Sequence, residues 1–131
     1  MKKDGILNKE LSTVLASLGH TDTIVIADCG LPIPDGVIRI DLSVVKGVPS
    51  FLAVLDPLLA ELEIEAITVA EEMKTHNPNM YEAIQQRFSG VEQHFVSHEQ
   101  FKEMLHAAKA VIRTGEATPY ANMILHSGVN F

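Results

Sequence analysis

The sequence predicts an α/β fold: a three-layer α/β/α sandwich with a mostly parallel central sheet and a C-terminal antiparallel hairpin. Three observations carry this expectation. Strand-like and helix-like patterns alternate along the chain. The stretch from Thr23 to Asp28 is apolar almost throughout, as suits a strand buried on both faces of a parallel sheet. No helical pattern separates the last two strands, so they are expected to pair with each other. A chain of 131 residues, 47% apolar, can build one core without disulfides, and we take residues 1–131 as a single domain.

The elements follow in order. Asn8 caps a first helix, in which Leu11, Val14, Leu15 and Leu18 share one face. Gly19 suits the left-handed position just past its end. After the strand from Thr23 to Asp28 comes a loop stiffened by Pro32 and Pro34, then a shorter alternating strand from Val37 to Asp41. Ser50 caps a helix from Phe51 to Glu61. That helix is apolar on nearly every side, which suggests contact with another subunit, and Pro57 should kink or restart it. Glu65 to Ala70 is a strand ending in Glu71-Glu72, a pair expected in solvent. Lys74 to Pro78 forms a turn or short helix, and Asn79 caps Met80 to Phe88. Gln93 to Val96 is a strand. Ser97 and Gln100 form a capping box for a helix carrying Phe101, Met104, Leu105 and Ala108 on one face. Ala110 to Arg113 and Asn122 to Ser127 are the last two strands.

Composition removes several function classes. The formal net charge is −7, with no basic stripe to displace counterions from phosphates, so nucleic acid is not an expected partner. No apolar run reaches the length of a membrane span, and Met1 to Glu10 lacks the apolar segment of a secretory signal. Cys29 is the only cysteine, compatible with a reducing compartment, and it reads as a small space-filling residue. A cytoplasmic protein is expected.

The carboxyl ends of parallel strands are where such sheets place ligands. Asp28 ends the first strand there, and His98 opens the helix after the fourth. Lys102 lies one turn further along that helix. If the last hairpin is antiparallel, Tyr120 and Asn122 return to the same edge. His20 lies between the first helix and the first strand. These groups suit hydroxyl recognition, and no phosphate-binding glycine motif accompanies them. A small polyhydroxylated ligand follows. His76, His94 and His106 have no such placement, and His126 reads as a strand residue. Zinc or another divalent ion is the rival: His20, Asp28, His98 and His126 are suitable ligand types. No HxH, HxxxH or HExxH pairing fixes two of them on one element, so a site with no metal and no cofactor is the preferred reading.

Three segments carry a resemblance: Leu18-Gly19-His20-Thr21-Asp22, then Ile26-Ala27-Asp28-Cys29-Gly30-Leu31-Pro32-Ile33-Pro34, and Thr118-Pro119-Tyr120-Ala121-Asn122. From end to end the chain resembles the D-ribose pyranase and fucose mutarotase family. The resemblance implies a cytoplasmic sugar mutarotase that interconverts the pyranose and furanose forms of D-ribose without a cofactor. It implies a homo-oligomer, a decamer of two stacked pentameric rings. His20 would be the catalytic proton donor. Asp28, His98, Tyr120, Ala121 and Asn122 would bind the substrate. Ring opening requires one proton delivered to the ring oxygen and one removed from the anomeric hydroxyl, work suited to histidine and carboxylate. Two alternatives stand beside it: a non-catalytic sugar-binding or transporter-associated subunit, and a metal-dependent sugar isomerase.

Overall fold

The computed structural model describes all residues, Met1–Phe131. One six-stranded sheet forms its centre. In chain order the elements are α1 (Lys9–Ser17), β1 (Thr23–Ala27), β2 (Ile38–Asp41), α2 (Phe51–Leu59), β3 (Ile64–Ala70), α3 (Met73–His76), α4 (Pro78–Arg87), β4 (Glu92–Val96), α5 (His98–Met104), a single 3₁₀ turn, β5 (Ala110–Arg113) and β6 (Met123–Ser127). The strands lie in the order β2-β5-β1-β6-β3-β4. All neighbours run parallel except β6, which is antiparallel to both β1 and β3.

The predicted sandwich with a mostly parallel sheet is therefore present, but the C-terminal hairpin is not. β5 already has β1 on one side and β2 on the other, so it offers no edge to β6. β6 instead fills the slot between β1 and β3. Its Met123, Ile124 and Leu125 are buried, as a strand with neighbours on both sides requires.

Alternation along β1 divides the core. Ile24 and Ile26 face a large cluster under α1, α2 and α4, which contribute Leu11, Val14, Phe51, Leu55, Leu58, Met80 and Ile84. Val25 and Ala27 face a smaller cluster closed by Phe101 and Leu105 of α5 and its following turn. One apolar face of α2 thus packs into the core of its own chain. Phe51, Val54, Leu55 and Leu58 are buried in this chain, while Ala53, Asp56 and Pro57 face solvent. α2 runs through Pro57 without restarting. The Ala53 carbonyl that Pro57 leaves without its i+4 donor belongs to an exposed residue on the solvent side of the helix.

The caps show which local signals were sound. Asn8, Ser50 and Ser97 each accept a backbone N–H three residues on. Gly19 is not in the left-handed region. α1 ends on an extended Leu18, and Thr21 makes the reversal with φ 72°. The Asp22 carboxylate secures that turn by accepting the Gly19 N–H at 2.9 Å. α4 is capped by Asn77, not Asn79, because Pro78 occupies the first helical position, where its missing N–H costs nothing. No helix is long and apolar enough to cross a membrane.

Candidate functional site

The loop after β1, the start of α5 and the loop before β6 meet at the carboxyl edge of the parallel strands. They enclose a cavity of about 340 Å³ lined by Asp28, Gly30, Leu31, Pro32, His98, Pro119 and Tyr120. The convergence expected from a hairpin arises from a different topology. β6 is antiparallel to β1 itself, so the residues that precede β6 stand beside those that follow β1.

Asp28 is held at three points. Its backbone N–H donates to Asn122 Oδ1 at 2.7 Å, and its Oδ2 accepts from Asn122 Nδ2 at 2.9 Å. Its Oδ1 accepts the Gly30 N–H at 2.9 Å, closing a turn two residues wide. The strand end beneath it is fixed by Thr114, whose hydroxyl donates to the Ala27 carbonyl at 2.7 Å. Asn122 and Ala121 are fully buried and stand behind the cavity wall. The Asn122 side chain therefore meets Asp28 directly and the cavity only through it.

His98 and Tyr120 form the opposite wall. The His98 ring stacks over Phe101 at 6.4 Å and meets Tyr120 edge-on at 5.1 Å. Its backbone N–H donates to the Glu72 carboxylate at 2.9 Å, so Glu72 serves the first turn of α5 rather than standing free in solvent. His98 Nδ1 is buried and has no hydrogen-bond partner. Tyr120 takes a left-handed conformation, φ 56°, and its other neighbour is the ring of His76 at 5.5 Å.

His20 is not in this cavity. It follows α1 and precedes β1, while Asp28 follows β1. At about 3.3 Å per residue, the two lie at opposite ends of a strand that puts on the order of 15 Å between them. His20 Nε2 pairs with Glu65 Oε2 at 2.9 Å, and both side chains are about half exposed. It lines a second cavity of about 370 Å³ with Leu15, Leu18, residues 61–63 and the C-terminal residues 127–131.

The remaining candidates separate as well. Lys102 is engaged with Glu99 at 2.7 Å, and its ammonium holds the Glu99 carboxyl below the usual range. His126 bonds Thr68 Oγ1 at 2.8 Å, and burial, followed by the nearby His94, pushes its imidazole below its ordinary value. His20, Asp28, His98 and His126 do not converge. No group of three or more His, Cys, Asp or Glu side chains is placed to hold a metal ion. Sequence reasoning missed Glu72 and Asn77, whose partners lie 26 and 41 residues away. It also missed His76, whose only distinction is its closeness to Tyr120.

Known proteins resemble the chain over its whole length. The model of the RbsD / FucU transport protein family matches residues 1–130. The chain is 71% identical over 131 residues to a D-ribose pyranase of Geobacillus kaustophilus, covering 100% of this chain and 96% of that one. A D-ribose pyranase of Geobacillus thermodenitrificans is 70% identical over the same span, with 99% of it covered. Among solved structures, Bacillus subtilis RbsD complexed with D-ribose superposes with a TM-score of 0.97 at 52% identity, each chain covered in full. The fucose mutarotase of Streptococcus pneumoniae in complex with L-fucose gives 0.79 at 26% identity, with 95% of each chain covered. A family model that spans all but the last residue, and relatives this similar over the full length, place the chain in the RbsD / FucU transport protein family.

Proposed function

We propose that this chain is a D-ribose pyranase: it interconverts the pyranose and furanose forms of D-ribose by acid-base ring opening and reclosure. The observation that carries the reading is the cavity at the carboxyl edge, where a carboxylate, an imidazole and a phenol face one small volume. The full-length identity to D-ribose pyranases supports it. The cavity suits a pentose in size, and its groups suit hydroxyls in kind.

The chemistry needs no covalent intermediate. A proton reaches the ring oxygen as the bond from C1 to O5 breaks. The anomeric hydroxyl loses its proton, and the open aldehyde forms. The O4 hydroxyl then attacks C1 and gives up its proton while the aldehyde oxygen takes one up, and the neutral furanose closes. Asp28, fixed by Asn122 and Gly30, holds hydroxyls and accepts a proton, while His98 and Tyr120 bind the sugar. His20 is the proton donor in this reading. Ala121 contributes through the backbone between Tyr120 and Asn122.

His20 of the same chain is too far from Asp28 to serve, so we assign it to the cavity of another copy. Exposed apolar groups stand at both edges of the sheet. Val129 and Phe131 lie in the cavity lined by His20, and Val44 and Val45 border Cys29, the neighbour of Asp28. Two different apolar patches favour head-to-tail contacts, which close into rings. A homo-oligomer built in this way, the stacked-pentamer decamer included, and a cytoplasmic location belong to the proposal.

The family description speaks of transport, and a non-catalytic ribose binder would fill the same cavity. Exchange NMR on D-ribose separates the readings. A pyranase accelerates exchange between pyranose and furanose signals and does so equally with a chelator present. A binder shifts or broadens ribose signals without accelerating exchange, and a metal-dependent isomerase stops when chelated.

A further inference from the structure

Asn77 lies outside the cavity, yet its side chain joins two parts of the structure that the cavity depends on. It is 7% exposed. Its Oδ1 accepts the Met80 N–H at 3.3 Å and caps α4. Its Nδ2 donates twice into the loop before β6, to Thr118 Oγ1 at 2.9 Å and to the Pro119 carbonyl at 2.8 Å. Thr118 in turn donates to Glu116 Oε2 at 2.9 Å, and Glu116 Oε1 accepts the Phe51 N–H at the start of α2. The residue next after this clamp is Tyr120, in the left-handed region that non-glycine residues avoid. Such a conformation persists only where the surroundings over-determine it. The two donations from Asn77 end at the residues immediately before Tyr120, and no other side chain donates to the Pro119 carbonyl.

We infer that Asn77 is a positioning residue for ribose: it holds the Thr118–Pro119 segment so that Tyr120 keeps its strained backbone and presents its ring beside His98 before the sugar arrives. This rests on the ribose reading given above. Loss of the clamp leaves the proton-accepting Asp28 and the sugar-binding His98 where they are. The loop must then be ordered at the expense of binding energy, so the effect falls on KM rather than on kcat.

The variant that isolates this role is Asn77→Ser. Serine is a good helix cap, so α4 keeps its acceptor, but the hydroxyl is too short to bridge to Thr118 and Pro119. Thr118→Val is the second variant, since it removes one partner of the clamp and leaves α4 untouched. Asn8→Ala is the control, because it removes the cap of α1, which has no part in the cavity. The measurements are melting temperature, KM and kcat for ribose ring exchange, and hydrogen exchange of the Asn122 amide, which bonds the Tyr120 carbonyl at 2.9 Å. We expect Asn77→Ser to melt near the wild type, with KM raised about ten-fold, kcat within about two-fold, and faster exchange at Asn122. Thr118→Val follows in the same direction by less, and Asn8→Ala lowers the melting temperature without moving KM. An unchanged KM and unchanged amide exchange in Asn77→Ser overturn the inference, as does an equal KM rise in Asn8→Ala. Amide exchange is measured without ribose. A wild type that fails to accelerate ring exchange therefore counts against the ribose reading alone, and the Asn122 amide still decides the clamp.

Discussion

Asn122 and Asp28 hold each other by a two-way pair: the Asn122 amide oxygen accepts the Asp28 backbone N–H, and its amide nitrogen donates to the Asp28 carboxylate. The two residues are 94 positions apart in sequence and adjacent in space because β6 runs antiparallel to β1. Removing Asn122 therefore acts on Asp28. Asn122→Ala should weaken ribose binding about ten- to a hundred-fold, the range for a lost hydrogen bond to a charged group. Asp28→Asn should do at least as much, since one amide nitrogen would then face another. A double variant no worse than Asp28→Asn alone, measured by ribose titration, is the expected sign of coupling. Strict additivity would mean that Asn122 reads the sugar independently.

That pair also shows what was legible in the sequence. The sequence puts Asn122 at the edge of Asp28 on the condition of an antiparallel hairpin between the last two strands. The two residues do meet, but through the pairing of β6 with β1 and not through a hairpin. Strand ends are local, marked by Asp28, Cys29 and Pro119, whereas strand order depends on which edges earlier strands have occupied. Capping was legible wherever the cap residue lies at the boundary itself, as at Asn8, Ser50 and Ser97. It failed at Asn79, where Pro78 moved the boundary by two residues. The sequence of α2 is apolar on nearly every side, so no polar stripe in it marks which face packs inward.

The inward placement of α2 gives a stability prediction. Leu55 is fully buried within the larger core. Leu55→Ala should destabilise the fold by about 2–5 kcal/mol and lower its melting temperature accordingly. Any loss of oligomer should accompany unfolding. A variant that melts like the wild type but sediments as smaller species would make α2 an interface.

His126 gives a pH dependence. Burial first, and the neighbouring His94 second, hold its imidazole below the ordinary value of 6.5, against smaller opposing effects of Glu65 and Glu92. The unfolded chain thus takes up the proton first as pH falls. The stability owed to neutral His126 is whole above about pH 6.5 and is lost as pH drops from there toward the folded value. Denaturant melts at about pH 7.5 and about pH 5.5 should show a smaller loss in His126→Gln than in the wild type. Equal losses would remove His126 as the source.

Asp56 contributes at lower pH. Its hydrogen bonds with Arg87, at 2.6 and 3.0 Å, hold its carboxyl below the usual carboxylate value of 3.8. Its contribution is present above that value and lost as pH falls through the folded one. The side chain is half exposed, so solvent screening leaves it at about 0–1 kcal/mol. Asp56→Asn should lower stability slightly at neutral pH and not at all at about pH 2, as followed by thermal melts. A loss of equal size at both would point to packing rather than charge.

The placement of His20 at one end of β1 and Asp28 at the other leads to the central claim, that His20 of one chain serves the cavity of another. His20→Ala and Asp28→Asn should each abolish catalysed ring exchange as separate, folded proteins. Mixed under conditions that exchange subunits, they form assemblies in which some sites draw His20 from one variant and Asp28 from the other. With random mixing about one quarter of the sites are intact, so ribose exchange should return to about a quarter of the wild-type rate. No recovery in demonstrably mixed assemblies would contradict the claim and return the whole site to a single chain.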